Sequence, residues 1–326
     1  MAAITSLSEP DLEGLLARYE LGGLERYWPA SKGVENSNYF VRVASHRGPH
    51  EVVVTLLERP PNSGAMLVQL LDACAEAGLP VAPIIRNRDG SASDQINGKP
   101  TMVAPRLSGR HVVNPTVHQC ESVGRFLARF HKATFRLSAQ APEHPRNSTW
   151  LAQNAEFIQH HVPYCDFRLA RDCVDSIGSM LHREDVKRLP RGVIHGDVFR
   201  DNVLFSERGL TGVLDFHHAA AGYWIYDLAV VANDWCNDNS GVLDSDRTLA
   251  LLRAYHSVRP LTAMEVWFFP MFALYAATAF WLSRLTVAIR RTSDALLRTN
   301  NPEEFQRIVE QHAAHFYYLD ARLLTQ

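Results

Sequence analysis

The spacing of apolar residues changes character near residue 106. Before that point, Leu12, Leu15, Leu16 and Tyr19 recur at helical spacing behind Ser8, a candidate N-cap, with Pro10 in the first turn. A surface helix ending before Gly22 and Gly23 is expected there. NYFVRVAS and EVVVTLLE, rich in valine and aromatic residues and parted by Gly48 and Pro49, read as a strand pair. GAMLVQLLDACAEAG reads as a helix ended by Gly78. VAPIIRN and KPTMVAPRL read as two further strands, the second entered by the hairpin dipeptide Asn97-Gly98.

After LSGRHVVNP the period becomes helical, with segments near 115–136, 148–161, 166–188, 223–235, 245–257, 263–290 and 302–323. In FLARFHKAT, Phe126, Leu127 and Phe130 should pack while His131 caps or bonds locally. One stretch departs from this pattern, VIHGDVFRDNVLFSERGLTGVLDF, where short apolar runs read as strands around a turn at 207–209. An α+β protein follows: a small sheet lobe, 1–106, then a mainly helical lobe, 107–326, into which a loop and strand pair are set. Residues 266–283 carry no charge and are long enough to span a membrane. Pro270, the hydroxyl side chains and the otherwise soluble composition favour a buried core helix instead.

The 326 residues suit two lobes. A composition of 46% hydrophobic and 21% charged residues with a net charge of -2 points to neither disorder nor nucleic-acid binding. A small-molecule partner and no membrane are expected. Five cysteines without CxxC spacing argue against a disulfide framework or a thiolate zinc site and for a reducing cytoplasm. MAAITSLSEPDLEGLL does not read as a signal peptide. The 15 histidines include His160-His161 and His217-His218, which read as surface or packing residues.

Chemistry concentrates in the exceptional stretch. Asp197 is followed five positions on by Asn202 and thirteen further on by Asp215. Phosphoryl transfer to a hydroxyl needs a carboxylate to orient the hydroxyl and take its proton, and hard oxygen ligands for the Mg²⁺ that accompanies ATP. Asp197 suits the first task and Asn202 and Asp215 the second, at the spacing of a kinase catalytic loop.

HGDVFRDN resembles the HGDxxxxN catalytic loop of the aminoglycoside phosphotransferase and choline kinase-like small-molecule kinases, VLDF their metal-binding motif, and YDLAVV the segment that follows it. GVENSNYFVRV, YDLAVVANDWC, FWLSRL and NPEEFQRIV are similar to the bacterial homoserine kinase branch, and the likeness runs from about residue 6 to 320. It implies a two-lobed protein-kinase-like fold, with ATP and Mg²⁺ used to phosphorylate L-homoserine on the way to threonine by a monomer or homodimer. Asp197 would be the base, Asn202 and Asp215 the metal ligands, and His195 and Asp227 the supports of the loop. Gly33, Asn36, Ser37 and Asn38 would cover the ATP phosphates, and the main chain at Val103 and Pro105 would read adenine. No GK[ST] occurs in that loop.

Thr55 stands where many kinases of this fold carry a phosphate-binding lysine, and Lys32 and Arg42 are the possible substitutes. A zwitterionic acceptor calls for an arginine clamp, for which Arg200 and Arg284 are candidates, and for a site that takes the ammonium, for which Asp234 and Trp235 are. Another amino alcohol, choline or an aminoglycoside as acceptor, or a catalytically silent nucleotide-binding module, remain the alternatives.

Overall fold

A computed structural model describes residues 4–30, 36–46, 48–58, 64–238, 240–290, 301–315 and 319–324. The chain forms two compact units, one of Met1–Gly109 with Thr211–His217, the other of Arg110–Leu210 with His218–Gln326.

The first unit is built on a five-stranded antiparallel sheet ordered β1-β2-β3-β5-β4, with β1 Gly23–Pro29, β2 Ser37–Ser45, β3 Gly48–Leu56, β4 Asp94–Ile96 and β5 Lys99–Pro105. Valines every second residue give β2 and β3 one buried face: Val41 pairs with Val52 and Tyr39 with Val54, and all four are buried. Against that face pack Leu12, Leu15 and Leu16 of α1, Glu9–Leu16, each contributing roughly 1.5–3 kcal/mol by leaving water. Ser8 caps α1 through a reciprocal box with Asp11, and α2, Gly64–Glu76, is the second helix. Asn97 and Gly98, with φ of 52° and 75°, make the expected hairpin turn between β4 and β5.

Two features differ from the sequence pattern. VAPIIRN is not a strand: only Val81 bridges, to Val213, because Pro80 and Pro83 remove ladder donors. Conversely β1 is a strand without a buried residue, an edge whose exposed positions carry no apolar alternation.

In the second unit, α3 (Val117–Thr134), α4 (Ser148–Ile158), α5 (Tyr164–His182), α6 (Glu184–Lys187), α7 (Trp224–Trp235), α8 (Ser245–Val258), α9 (Ala263–Arg290) and α10 (Pro302–Ala314) surround a short antiparallel pair, β6 (Arg191–Ile194) with β9 (Ala220–Tyr223). Between them run β7 (Val203–Ser206) and β8 (Gly209–Val213), within which the chain passes into the first unit. The apolar stretch forms most of α9, with 83% of its most hydrophobic 18 residues buried inside the protein. The uncharged run is therefore a core helix. Its one buried acid, Glu265, is offset by Arg259 at 2.8 Å and by the N–H of Thr262, also at 2.8 Å.

Close helix packing depends on Gly124 of α3. A methyl group there would stand 2.3 Å from the carbonyl oxygen of Leu251 in α8. Helix propensity favours alanine over glycine by about 1 kcal/mol, but overpacking costs about 1–3 kcal/mol, so the clash wins at this position. Gly124→Ala is expected to lower the denaturant midpoint by an amount equivalent to up to about 2 kcal/mol. A midpoint equal to or above the wild type's in urea unfolding would show that α3 and α8 have room to move apart.

Candidate active site

β6 delivers the chain into His195-Gly196-Asp197, and the glycine turns it at φ 76°. What holds this corner is the carboxylate of Asp227, in the first turn of α7 and completely buried. It accepts the backbone N–H of His195 and that of Gly196, each at 2.7 Å, and the Nε2 of His131 at 3.0 Å. Burial works to raise the Asp227 carboxyl, but the hydrogen bond from His131 and the backbone N–H bonds from the loop outweigh it and hold the pKa below the usual range. His131 is moved down by its burial, against the pull of Asp227, so the ring is neutral. A neutral ring that donates from Nε2 must accept at Nδ1, where the Tyr255 hydroxyl lies at 2.7 Å. His131 therefore does not bond within its own helix as its sequence suggested. It reaches a residue 96 positions away, and its only sequence signal was a histidine on an otherwise apolar helix face.

The far end of α7 holds the next residues of the loop. The Trp235 indole donates to the carbonyl of Val198 at 2.9 Å, and Asp234 accepts the N–H of Arg200 at 2.7 Å. One helix thus fixes the loop on both sides of Asp197. Inside the loop, the Asn202 side-chain nitrogen donates to the Asp197 carboxylate at 2.9 Å and to its carbonyl at 2.8 Å. Both bonds come from nitrogen, so the amide oxygen remains for a cation, and a hard oxygen donor suits Mg²⁺. Asp215, in the first unit, has φ 62°, a left-handed conformation that is uncommon outside glycine and often marks a functional residue.

Several candidates are placed otherwise than a substrate pocket would need. Trp235 is fully buried against Phe205, and Asp234 is buried in an ion pair with Arg200 at 3.2 Å, so both hold the loop rather than face an ammonium group. Arg200 also donates to the carbonyl of Val113 at 2.8 Å. Arg284 lies over Phe305, 2.7 Å from Glu304 and 3.0 Å from the carbonyl of Asn301. Both arginines are thus paired with acids of the protein itself.

In the first unit, Ser37 is buried, accepting the N–H groups of Ile4 and Thr5 and donating to Glu58, while Asn36 accepts the N–H of Glu58 at 3.3 Å. Asn38 takes the hydroxyl of Thr55 at 2.7 Å across the β2-β3 ladder, which uses the side chain found in place of the lysine. Arg42 pairs with Glu25 at 3.3 Å. Gly33 and Lys32 lie outside the described residues. Val103 is a buried β5 residue whose carbonyl accepts from Ile85, and Pro105 pairs with Val52.

The sequence matches the phosphotransferase enzyme family over residues 27–261. A homoserine kinase of Pseudomonas aeruginosa is 38% identical over 95% of this chain and 96% of its own, and one of Ralstonia pickettii is 34% identical over 95% of each. In fold, the chain is similar to an amicoumacin kinase solved with AMP-PNP, Ca²⁺ and Ami, with a TM-score of 0.69, 14% identity and 94% of each chain covered. A spectinomycin phosphotransferase solved with ADP and spectinomycin gives a TM-score of 0.67 at 12% identity, with 98% of each chain covered.

Burial raises the pKa of Asp234 to about 6, against the opposing pull of Arg200. In the unfolded chain an aspartate titrates near ~3.9. As pH falls from 7 to 5, the folded protein takes up this proton before the unfolded one, so the contribution of Asp234 to stability grows toward acid and is lost as pH rises through about 6. The melting temperature of the wild type relative to Asp234→Asn should therefore rise on going from pH 7 to pH 5. A difference independent of pH would contradict the buried, raised carboxyl.

Proposed function

The chain belongs to the phosphotransferase enzyme family, and from that membership we propose that it transfers the γ-phosphoryl group of ATP to the side-chain hydroxyl of L-homoserine, giving O-phospho-L-homoserine and ADP. Two things support this acceptor: the relatives that share more than a third of its residues are named homoserine kinases, and they align over nearly their full length. The observation that carries the reaction type is the Asp197 carboxylate, held at 2.9 Å by Asn202 on a loop fixed by Asp227.

Asp197 is the base. Its carboxylate orients the acceptor hydroxyl and takes its proton as the new O–P bond forms and the bond from Pγ to the β-bridging oxygen breaks, the electron pair leaving with ADP. Asn202 keeps that carboxylate in one rotamer by donating to it and to the carbonyl of the same residue. The amide oxygen of Asn202 and the carboxylate of Asp215 would each serve as a ligand for Mg²⁺, which when bound would neutralise charge on the phosphates. With the bond from Asn202 to the Asp197 carboxylate intact, a catalytically silent nucleotide-binding module has little to support it.

An ADP-release assay with L-homoserine, D-homoserine, L-serine, choline and kanamycin tests the reading. Turnover is expected with L-homoserine above the other acceptors and should fall about 10²–10⁴-fold in Asp197→Asn. Equal rates in that variant would remove Asp197 from the chemistry, and a preference for choline or kanamycin would replace the acceptor.

A further inference from the structure

The two arginines that the sequence offered as a carboxylate clamp are taken up by Asp234 and Glu304, yet the second unit holds another cation beside the catalytic loop. Arg146 lies just before α4 and is partly exposed. Residues 142–144 are strapped along β9: Ala221 donates to the carbonyl of Pro142 at 2.7 Å, and the N–H of His144 donates to Ala221 at 2.9 Å. β9 pairs with β6, which runs directly into His195-Gly196-Asp197, so the strap and the loop share one support. The Arg146 carbonyl is then fixed by the Tyr275 hydroxyl at 2.5 Å, and its guanidinium lies 4.1 Å from the centre of the Phe280 ring. That same ring meets Phe199, two residues after Asp197, edge-on at 4.6 Å.

Burial pushes the Tyr226 hydroxyl up to about 12, with Arg146 working against the shift and Asp227 and Asp197 adding to it. Both ring nitrogens of His144 are buried without a hydrogen-bond partner among the described residues. Glu143, the nearest acid in sequence, is already paired with Arg191 at 2.7 Å. Among the described residues Arg146 makes no ion pair. A guanidinium held rigidly from its backbone and laid on an aromatic face, yet lacking an acid, is a preorganised site for a planar anion.

We propose that Arg146 binds the α-carboxylate of the acceptor, so that the enzyme recognises an amino acid rather than a simple amino alcohol and presents its hydroxyl to Asp197. The assignment rests on the reading of L-homoserine as acceptor. The Phe280 ring thus touches both the guanidinium and, through Phe199, the catalytic loop.

The test compares L-homoserine with 3-amino-1-propanol, which is homoserine without its carboxylate, in the wild type, Arg146→Met and Arg146→Lys. The wild type should prefer homoserine in kcat/KM, and in Arg146→Met that preference should shrink about 100-fold or more, chiefly through the KM for homoserine and not that for ATP. Arg146→Lys keeps the charge without the fork and should retain an intermediate preference, which also covers the case in which the methionine variant fails to fold. A kcat/KM reduced by the same factor for both acceptors would overturn the assignment and leave Arg146 a structural residue. A wild type that ignores homoserine but phosphorylates aminopropanol would instead overturn the choice of acceptor, and this assignment with it.

Discussion

Two backbone N–H groups aimed at one buried carboxylate, that of Asp227, are the constraint on which the rest of the site depends. An ionised carboxylate inside a protein is costly unless it is fully hydrogen-bonded, and here the donors are the peptide groups of the loop it has to position. The dependence runs both ways. Asp227 stays ionised because His195, Gly196 and His131 surround it, and the loop keeps its shape because one carboxylate satisfies its two adjacent buried N–H groups. Hydrogen bonds to a charged group contribute about 1.5–3 kcal/mol each, enough to select one loop conformation out of many.

Helix α7 extends this constraint along the loop. Asp227 stands in its first turn and Asp234 and Trp235 in its last, so the bonds to residues 195–196 and to residues 198–200 come from one rigid rod. A catalytic carboxylate tolerates little displacement before rate is lost, and fastening the backbone on both sides of Asp197 limits that displacement better than contacts to its side chain alone. Asn202 adds the last restraint, on the rotamer. The two acids that α7 uses have opposite electrostatic fates. Asp227, with two backbone donors and a histidine, is held low, whereas Asp234, with one backbone donor and a partly exposed arginine, is pushed up to about 6 by burial.

Much of this was legible in the sequence where a residue's role is local. The spacing of Asp197, Asn202 and Asp215, the capping serine of α1, the Asn97-Gly98 hairpin and the length of α9 are all written over a few consecutive positions. Long-range pairing was not legible. Nothing near His131 announces a partner at Asp227, and nothing near Arg200 or Arg284 announces that Asp234 and Glu304 would occupy them. For the same reason Arg146, in a loop of prolines and polar residues, gave no signal until Phe280 and Tyr275 were seen around it. Edge strand β1 failed to show because its two core-facing residues, Leu24 and Tyr27, are only half-buried and a bulge between them breaks the alternation, and residues 81–87 read as a strand because Val81, Ile84 and Ile85 outweigh Pro83.

The kinetics of Asp227→Asn with L-homoserine test most directly whether this carboxylate shapes the catalytic loop. An asparagine can accept with one atom only and turns an N–H₂ toward a backbone N–H, so the loop should lose its fixed shape while the fold around α7 survives. The expected result is a kcat lower by about 10²-fold, with the KM for ATP little changed and a cooperative unfolding transition retained. A kcat equal to that of the wild type in the folded variant would contradict the claim that this carboxylate sets the geometry of phosphoryl transfer.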